Sequence, residues 1–178
     1  MAAARATVFT IGHSTRSLEE LVAALAAHGI KLLIDIRAFP MSRRLPWFNR
    51  ESLELELPKA GIAYRWMQDL GGRRKKQMEH SPNTALRNES FRNYADYMLS
   101  GQFRAAISQV TEWAAAQPAA IMCAERVWFR CHRMMVSDWL AGHGHEVLHI
   151  DGTGPAKPHK LMGEAQVRGD DVIYPGLV

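Results

Sequence analysis

The chain has 178 residues, 47% of them apolar and 22% charged, with a formal net charge of +4. That length supports a full hydrophobic core in one domain. The absence of any run of about 18 apolar residues excludes a membrane-spanning helix, and two cysteines in a chain of this size exclude a disulfide scaffold, so a cytoplasmic, reducing compartment is expected.

Val8-Phe9-Thr10-Ile11 reads as a first strand, entered from a short N-terminal lead without a signal-peptide core. Gly12-His13-Ser14 ends it. Ser17 and Glu20 form a capping box, and Leu18, Leu21, Val22 and Leu25 make one face of a helix that Gly29 stops. Leu32 to Ile36 is apolar enough for a strand buried on both faces, which with the preceding helix predicts a parallel βαβ unit. A loop from Arg37 to Asn49 leads to a short helix from about Glu51 to Leu57, ended by Pro58. Ile62 to Trp66 is a third strand. A polar loop from Leu70 to about Glu89 is long enough to be functional or mobile. Phe91, Tyr94, Ala95 and Met98 mark one helix; after the Ser100-Gly101 break, Phe103, Ile107, Val110 and Ala114 mark another. Ala119 to Met122 is a fourth strand. A helix bearing Met135, Val136, Trp139 and Leu140 closes at Gly142 or Gly144, and Glu146 to Ile150 is a fifth strand.

Alternating strands and helices predict a three-layer α/β fold: a mostly parallel sheet of about five strands with helices on both faces. The whole chain, 1–178, reads as one domain, with a core over about 8–150 and an irregular, Gly- and Pro-rich tail over 151–178 packing on it. Ligands of such folds bind beyond the carboxyl ends of the strands. That edge gathers Gly12, His13 and Ser14, then Asp35 and Arg37, Gly71 and Gly72, and Cys123 to Glu125.

An ordered series of motifs runs through these elements: Thr10-Ile11-Gly12-His13-Ser14; Ile34-Asp35-Ile36-Arg37 with Pro40 and Ser42; Gly61-Ile62-Ala63-Tyr64; Leu70-Gly71-Gly72; Phe91-Arg92-Asn93-Tyr94-Ala95-Asp96-Tyr97-Met98; Met122-Cys123-Ala124-Glu125; and Cys131-His132-Arg133. The series resembles the domain of unknown function 488 family from about Val8 to Ile150. Pro58 and the run Arg73-Arg74-Lys75-Lys76 stand out as local departures. The resemblance implies a compact cytoplasmic α/β domain with these motifs clustered; it carries no activity with it.

The chemistry therefore has to come from the residues. Cys123 ends a strand near Arg126, Arg130 and Arg133, and a thiol beside arginines and a helix N-terminus favours its thiolate. It reads equally as a small buried hydrophobe. The strand–Cys–loop–Arg–helix order is similar to that of rhodanese-like and cysteine-phosphatase loops, but six residues separate Cys123 from Arg130, one too many for that pattern. Cys131 shares a helical face with Met135 and Trp139 and is expected to turn toward the core, as is His132. Glu125, His13 and Asp35 are the candidate acid/base groups, Asp35 reading equally as half of a structural ion pair with Arg37. Candidate ligand contacts are Gly12, Ser14, Arg37, Ser42, Tyr64, Gly71, Gly72, Arg130, Cys131, His132 and Arg133.

With a sequence pI of about 9.3, basic loops at Arg43-Arg44 and Arg73 to Lys76, and aromatics nearby, the expected partner is an anionic small molecule or nucleic acid. The leading reading is an enzyme that binds a phosphate-bearing, nucleotide or nucleic-acid ligand with a functional cysteine. The alternatives are a non-catalytic nucleic-acid-binding or regulatory module, and a zinc site built from His13, Cys123, Cys131 and His132.

Overall fold

A computed structural model describes residues 4–177; the first three residues of the N-terminal lead and Val178 lie outside the described residues. The strands are β1 (Thr7–Gly12), β2 (Leu32–Asp35), β3 (Ala63–Trp66), β4 (Ala119–Cys123), β5 (Glu146–Ile150), β6 (Lys157–Pro158), β7 (Gln166–Arg168) and β8 (Asp171–Ile173). The helices are α1 (Leu18–Ala27), α2 (Arg50–Glu56), α3 (Glu89–Tyr97), α4 (Gly101–Ala116) and α5 (Arg133–Gly142). At the start of α1, the Ser17 hydroxyl accepts from the Glu20 amide at 3.1 Å and the Glu20 carboxylate accepts from the Ser17 amide at 2.9 Å, a complete capping box.

The main sheet has the order β3-β2-β4-β1-β5-β6. Its first five strands are parallel and β6 is antiparallel to β5. Alternation along the strands divides the core into two layers. Ile11, Leu33, Ala120 and Met122 pack with Leu21, Leu25 and Leu53 of α1 and α2. Val8, Leu32, Ile34 and Ile121 pack on the other face with Tyr94, Phe103, Ile107 and Met135 of α3, α4 and α5. The three-layer α/β architecture is thus the one the sequence predicts, with a sixth short strand at the edge.

The segment after Asp151 differs from the expected irregular tail. It contributes β6, then the β7–β8 hairpin. The hairpin sits close against α5: a side chain at Gly142 would meet Val167 at 2.7 Å. Tyr174 follows it into the core, fully buried, its amide donating to Asn83 Oδ1 at 2.8 Å. Strands of two or three residues are too short for alternation to register. Asn83 also ties down the long polar loop, since its amide nitrogen donates to the buried Asp96 carboxylate at 2.7 Å.

β1 and β4 lie side by side, yet the chain leaves β1 through α1 on one face and leaves β4 toward α5 on the other. This is a topological switch point, where the turns diverge and open a crevice. The turn after β1 is clamped to the turn after β4: the His13 amide donates to the Cys123 carbonyl at 2.9 Å, and Ser14 to Ala124 at 3.0 Å. Ser14 adopts φ of 51°, the left-handed region, to make this turn. Gly12 is required by the contact, because a Cβ there would lie 1.9 Å from the Glu125 carbonyl oxygen. Gly12→Ala therefore forces the two turns apart. We expect it to lower the stability measured by urea unfolding by about 1–3 kcal/mol, the usual cost of overpacking; an unchanged unfolding midpoint would show that residues 124–126 move freely.

Candidate functional site

At that crevice the carboxyl ends of the strands enclose a cavity of about 910 Å³. Ten of the residues singled out from the sequence line it: His13, Ser14, Arg37, Ser42, Gly72, Cys123, Glu125, Arg130, Cys131 and His132. Gly12, Asp35, Tyr64, Gly71 and Arg133 are not among the residues that line it. Gly12 and Gly71 are there for packing: a Cβ on Gly71 would lie 2.8 Å from Ala38 Cα.

The two thiols meet. Cys123 Sγ lies 3.0 Å from Cys131 Sγ, and both are free. Cys131 is thus turned to its partner sulfur and the cavity, whereas its helical spacing suggested the core; it precedes α5, and the turn before the first helical residue, Arg133, redirects it. The guanidinium of Arg133, 1% exposed, lies against the pair. Its Nε donates to Cys123 Sγ at 3.0 Å, Nη1 to Thr10 Oγ1 at 3.2 Å, and Nη2 to the carbonyls of Glu125 at 2.5 Å and Arg126 at 3.0 Å. Its backbone amide points to Cys131 Sγ at 3.4 Å. Arg133 is therefore an internal cation, not the anion clamp expected from sequence.

The pair is electrostatically asymmetric. The hydrogen bond from Cys123 holds the Cys131 thiol well below its ordinary range, against its burial, with His132 and Arg133 acting in the same direction. Burial, and then the hydrogen bond to Cys131, push the Cys123 thiol up. Arg133 Nε touches Cys123, which on contact alone would place the charge there. Cys131 is the better holder, because it is the less buried sulfur and sits at the N-terminus of α5. Arg133 then donates to Cys123, and Cys123 donates its S–H to the Cys131 thiolate.

Asp35, fully buried, is occupied as a structural partner. It accepts from Arg37 Nε at 2.9 Å, Arg37 Nη2 at 2.6 Å, the Arg37 amide at 3.1 Å and the Tyr64 hydroxyl at 2.5 Å. Burial and then the Asp35 charge raise the Tyr64 hydroxyl. Arg37, held in this way, presents Nη1 to His13 Nε2 at 3.3 Å. His13 Nδ1 lies 2.8 Å from the Ser14 carbonyl, which can only accept, so Nδ1 carries the proton and Nε2 receives Arg37. The ring stacks on Phe48 at 4.4 Å. His13 has no lone pair left for general-base work in this arrangement.

His132 is differently placed. Its Nε2 lies 2.8 Å from the Ile36 carbonyl and so donates to it. Its other ring nitrogen, Nδ1, is turned toward Gly72, where a Cβ would come within 2.5 Å of it. Among the described residues Nδ1 accepts no hydrogen bond. His132, read from sequence as core-facing, is the better acid/base candidate. Glu125 is exposed at the mouth, accepting weakly from the Val127 amide at 3.4 Å. Ser42 shapes the far rim, its hydroxyl accepting from the Leu45 amide at 3.1 Å. His13, Cys123, Cys131 and His132 do not converge as ligands: among the described residues no three His, Cys, Asp or Glu side chains are arranged to hold a metal ion.

The wall also contains residues that sequence reasoning did not single out as site residues. Phe39, Met41, Phe91 and Tyr94 make one side apolar, and Arg73 and Arg126 join Arg130 at the rim. Arg126 is paired with Asp151 at 2.9 Å, while Arg73 and Arg130 have no carboxylate within ion-pairing distance among the described residues. A further line of buried polar groups, Thr10, His149, His159 and Asp138, runs behind Arg133. Its signal was present in sequence: Thr10 and His149 interrupt otherwise apolar strands.

The model of the family described as domain of unknown function DUF488 matches residues 17–140, which contain the thiol pair, Asp35 and Arg37. The chain belongs to the DUF488 family. The match stops short of His13 at one end and of His149 and His159 at the other, so the part of the site carried by β1, β5 and the tail lies outside the matched DUF488 segment. No curated protein and no solved structure matches the chain. No helix among the described residues is long and apolar enough to cross a membrane.

Burial lowers His13 from its ordinary value of 6.5 to about 4, and His149 to about 3. Both imidazoles bind protons more readily in the unfolded chain, so their contribution to stability is complete above pH 6.5 and is lost as pH falls below it. The urea midpoint should therefore drop between about pH 6.5 and 5, above the range in which ordinary carboxylates titrate. A flat midpoint over that interval would show that neither ring is held neutral.

Proposed function

We propose that the protein is an enzyme acting on an anionic, phosphate-bearing ligand of the nucleotide class, with the Cys131–Cys123 pair as its nucleophilic centre. One observation carries the reading. Arg133 is buried with no carboxylate within ion-pairing distance among the described residues, and it lies on two thiols at a cavity wall. An uncompensated buried cation is costly. A thiolate shared by the pair is the anion that offsets it, and a thiolate at neutral pH is a nucleophile.

The ligand class follows from the wall. Arg73 and Arg130, without a carboxylate partner among the described residues, supply positive charge for phosphate, and Phe39 and Phe91 supply apolar and aromatic surface for a base or other planar group. In the covalent step the Cys131 sulfur gives its electron pair to the electrophilic atom of the ligand, and the bond from that atom to the leaving group breaks. The leaving group takes that electron pair and the proton of the Cys123 thiol. The negative charge then rests on Cys123, under Arg133 Nε. His132 Nδ1 is the group available to accept the proton of an incoming water in the return step. Glu125 and His13 border the ligand rather than carry protons.

A non-catalytic nucleic-acid-binding module would use the same cations, and the exposed Phe39 and Phe129 favour it as the second reading. Steep loss of oligonucleotide affinity with rising salt, unaffected by Cys131→Ser, would select it.

Thiol alkylation by iodoacetamide tests the enzymatic reading. At pH 6 one thiol should react about a hundredfold faster than an ordinary cysteine, and added inorganic phosphate should slow it. Cys131→Ser should abolish the fast phase, and Cys123→Ser should retain it at a reduced rate. Two slow thiols in the unmodified protein, or a fast phase that survives Cys131→Ser, would overturn it.

A further inference from the structure

The polar line behind Arg133 touches no part of the cavity, yet it is built from five separate segments of the chain. Thr10 on β1 and His149 on β5 are paired in register, and Thr10 Oγ1 lies 2.5 Å from His149 Nδ1. His149 Nε2 lies 2.8 Å from Nδ1 of His159, which follows β6. His159 Nε2 lies 2.7 Å from Oδ1 of Asp138 on α5. Asp138 is closed off by the Tyr174 hydroxyl at 2.9 Å and the Met162 amide at 3.2 Å. Thr10 and Asp138 are fully buried, and the His159 side chain is 1% exposed.

The direction of every bond in this line is set by its two ends: the Asp138 carboxylate accepts from His159 Nε2, which with neutral imidazoles leaves His159 Nδ1 and His149 Nδ1 as acceptors. A guanidinium can only donate, so Thr10 Oγ1 accepts from Arg133 Nη1 at 3.2 Å. The Thr10 hydroxyl proton is then free to go to His149 Nδ1. His149 must carry its own proton on Nε2 and give it to His159 Nδ1. His159 in turn carries its proton on Nε2 and gives it to Asp138. Two neutral imidazoles thus link a buried cation to a buried carboxylate, with all dipoles aligned from Arg133 to Asp138. Trp128, from the loop between the two cysteines, stacks parallel on His149 at 4.5 Å and meets His159 edge-on at 4.8 Å, excluding water from the line.

The charged and titratable groups facing His159 are His149 on β5 and Asp138 on α5; Lys157 and Lys160 of its own segment are exposed. Nothing in this set is needed to hold the sheet together, since the backbone pairing of β1 and β5 does that.

We propose that Thr10, His149, His159 and Asp138 are positioning residues for the thiol pair, a directed line of hydrogen bonds that fixes the Arg133 guanidinium so that Nε reaches Cys123. Nη2 is tethered by two loop carbonyls, and Nη1 has Thr10 as its acceptor. Without that acceptor the guanidinium is free to pivot about Nη2 and draw Nε away from the sulfur. Cys123 is then a poorer donor to the Cys131 thiolate. The inference rests on the thiol reading for its kinetic readout, and on the imidazole tautomers independently of it.

The kinetic test is the pH profile of iodoacetamide alkylation in Thr10→Val and Thr10→Ser. Thr10→Val should slow the reaction about tenfold at pH 6 while leaving the rate at pH 9 at that of the unmodified protein, because the thiolate is destabilised but still forms. Thr10→Ser, which restores the hydroxyl, should return the profile to normal. A purely structural role for Thr10 would lower both rates or neither, and either result overturns the proposal. His159→Leu severs the line two links further on without touching Arg133; it should move the profile in the same direction, and an unmoved profile counts against the line. Nitrogen-15 NMR of the unmodified protein reads the tautomers directly. His149 and His159 should both be neutral and protonated at Nε2 at neutral pH. A His149 proton on Nδ1 would overturn the assigned direction even if the thiols prove reactive. Correct tautomers with slow thiols would instead sink the enzymatic reading alone.

Discussion

Arg133 has a fully buried guanidinium that meets no carboxylate among the described residues, and its acceptors come from β1, the end of β4 and the loop that follows it. Two are loop carbonyls that would otherwise face an interior without donors. One is the hydroxyl of Thr10, in the strand at the switch point. One is the sulfur of Cys123. A single side chain therefore fixes the loop after β4, ties it to β1, and places a positive charge on the thiols. Desolvating such a charge is expensive unless all its donors are used and an anion is close. The guanidinium makes four donor contacts, and beside it lies a sulfur pair that can hold one negative charge.

The sheet makes this convergence possible. Thr10, Cys123 and His149 lie on three adjacent strands, β1, β4 and β5, and on the face that α5 covers. Alternation sends every second residue to that face, and at these positions the apolar pattern is broken by groups that hydrogen-bond to one another instead of packing. On the opposite face, against α1 and α2, Ile11, Leu33, Ala120 and Met122 pack without a polar group between them, and the break comes only at the strand end, where buried Asp35 takes Arg37 and Tyr64. The thiol pair and the line behind Arg133 thus lie on the α5 side of the sheet, and the Asp35–Arg37 pair lies on the other, at the strand end.

The backbone plan was legible because each element carries a local cause. The Ser17–Glu20 box, the apolar runs of β2 and β4, and the glycine stops all act over a few residues, and the structure follows them. Cys123, Arg37 and His13 were legible as edge residues for the same reason, since strand ends are local. What failed was the assignment of roles across space. Cys131 and His132 were read by helical spacing, yet both precede the first residue of α5, where that spacing does not apply. Arg133 looks like a charge for a ligand in sequence, and the fold shows that its charge is consumed internally; for Asp35 the structure has the ion pair with Arg37, one of the two readings its sequence offered. His159 and Tyr174 belong to strands and turns too short to produce a pattern, so their part in the line behind Arg133 has no sequence signature beyond the polar interruptions at Thr10 and His149.

The filled loop also decides how an anion must be held. In a phosphatase-type loop the backbone amides converge on the oxyanion and an arginine joins them from the side. Here the Arg133 guanidinium occupies the inside of the loop and is met by the carbonyls of Glu125 and Arg126. Carbonyls that point inward repel an anion, so the loop itself is no cradle for phosphate. The extra residue between Cys123 and Arg130 thus has a structural counterpart, a loop folded around an internal cation. Under the proposed function, anion recognition passes to side chains at the rim, where Arg73 and Arg130 have no carboxylate partner among the described residues and Arg126 is shared with Asp151. Side-chain clamps on exposed arginines are adaptable in geometry and select charge rather than shape. Under the proposed function, selectivity for the rest of the ligand then lies with the apolar wall of Phe39 and Phe91, which makes that wall, more than the cations, the part of the cavity that would distinguish one ligand from another.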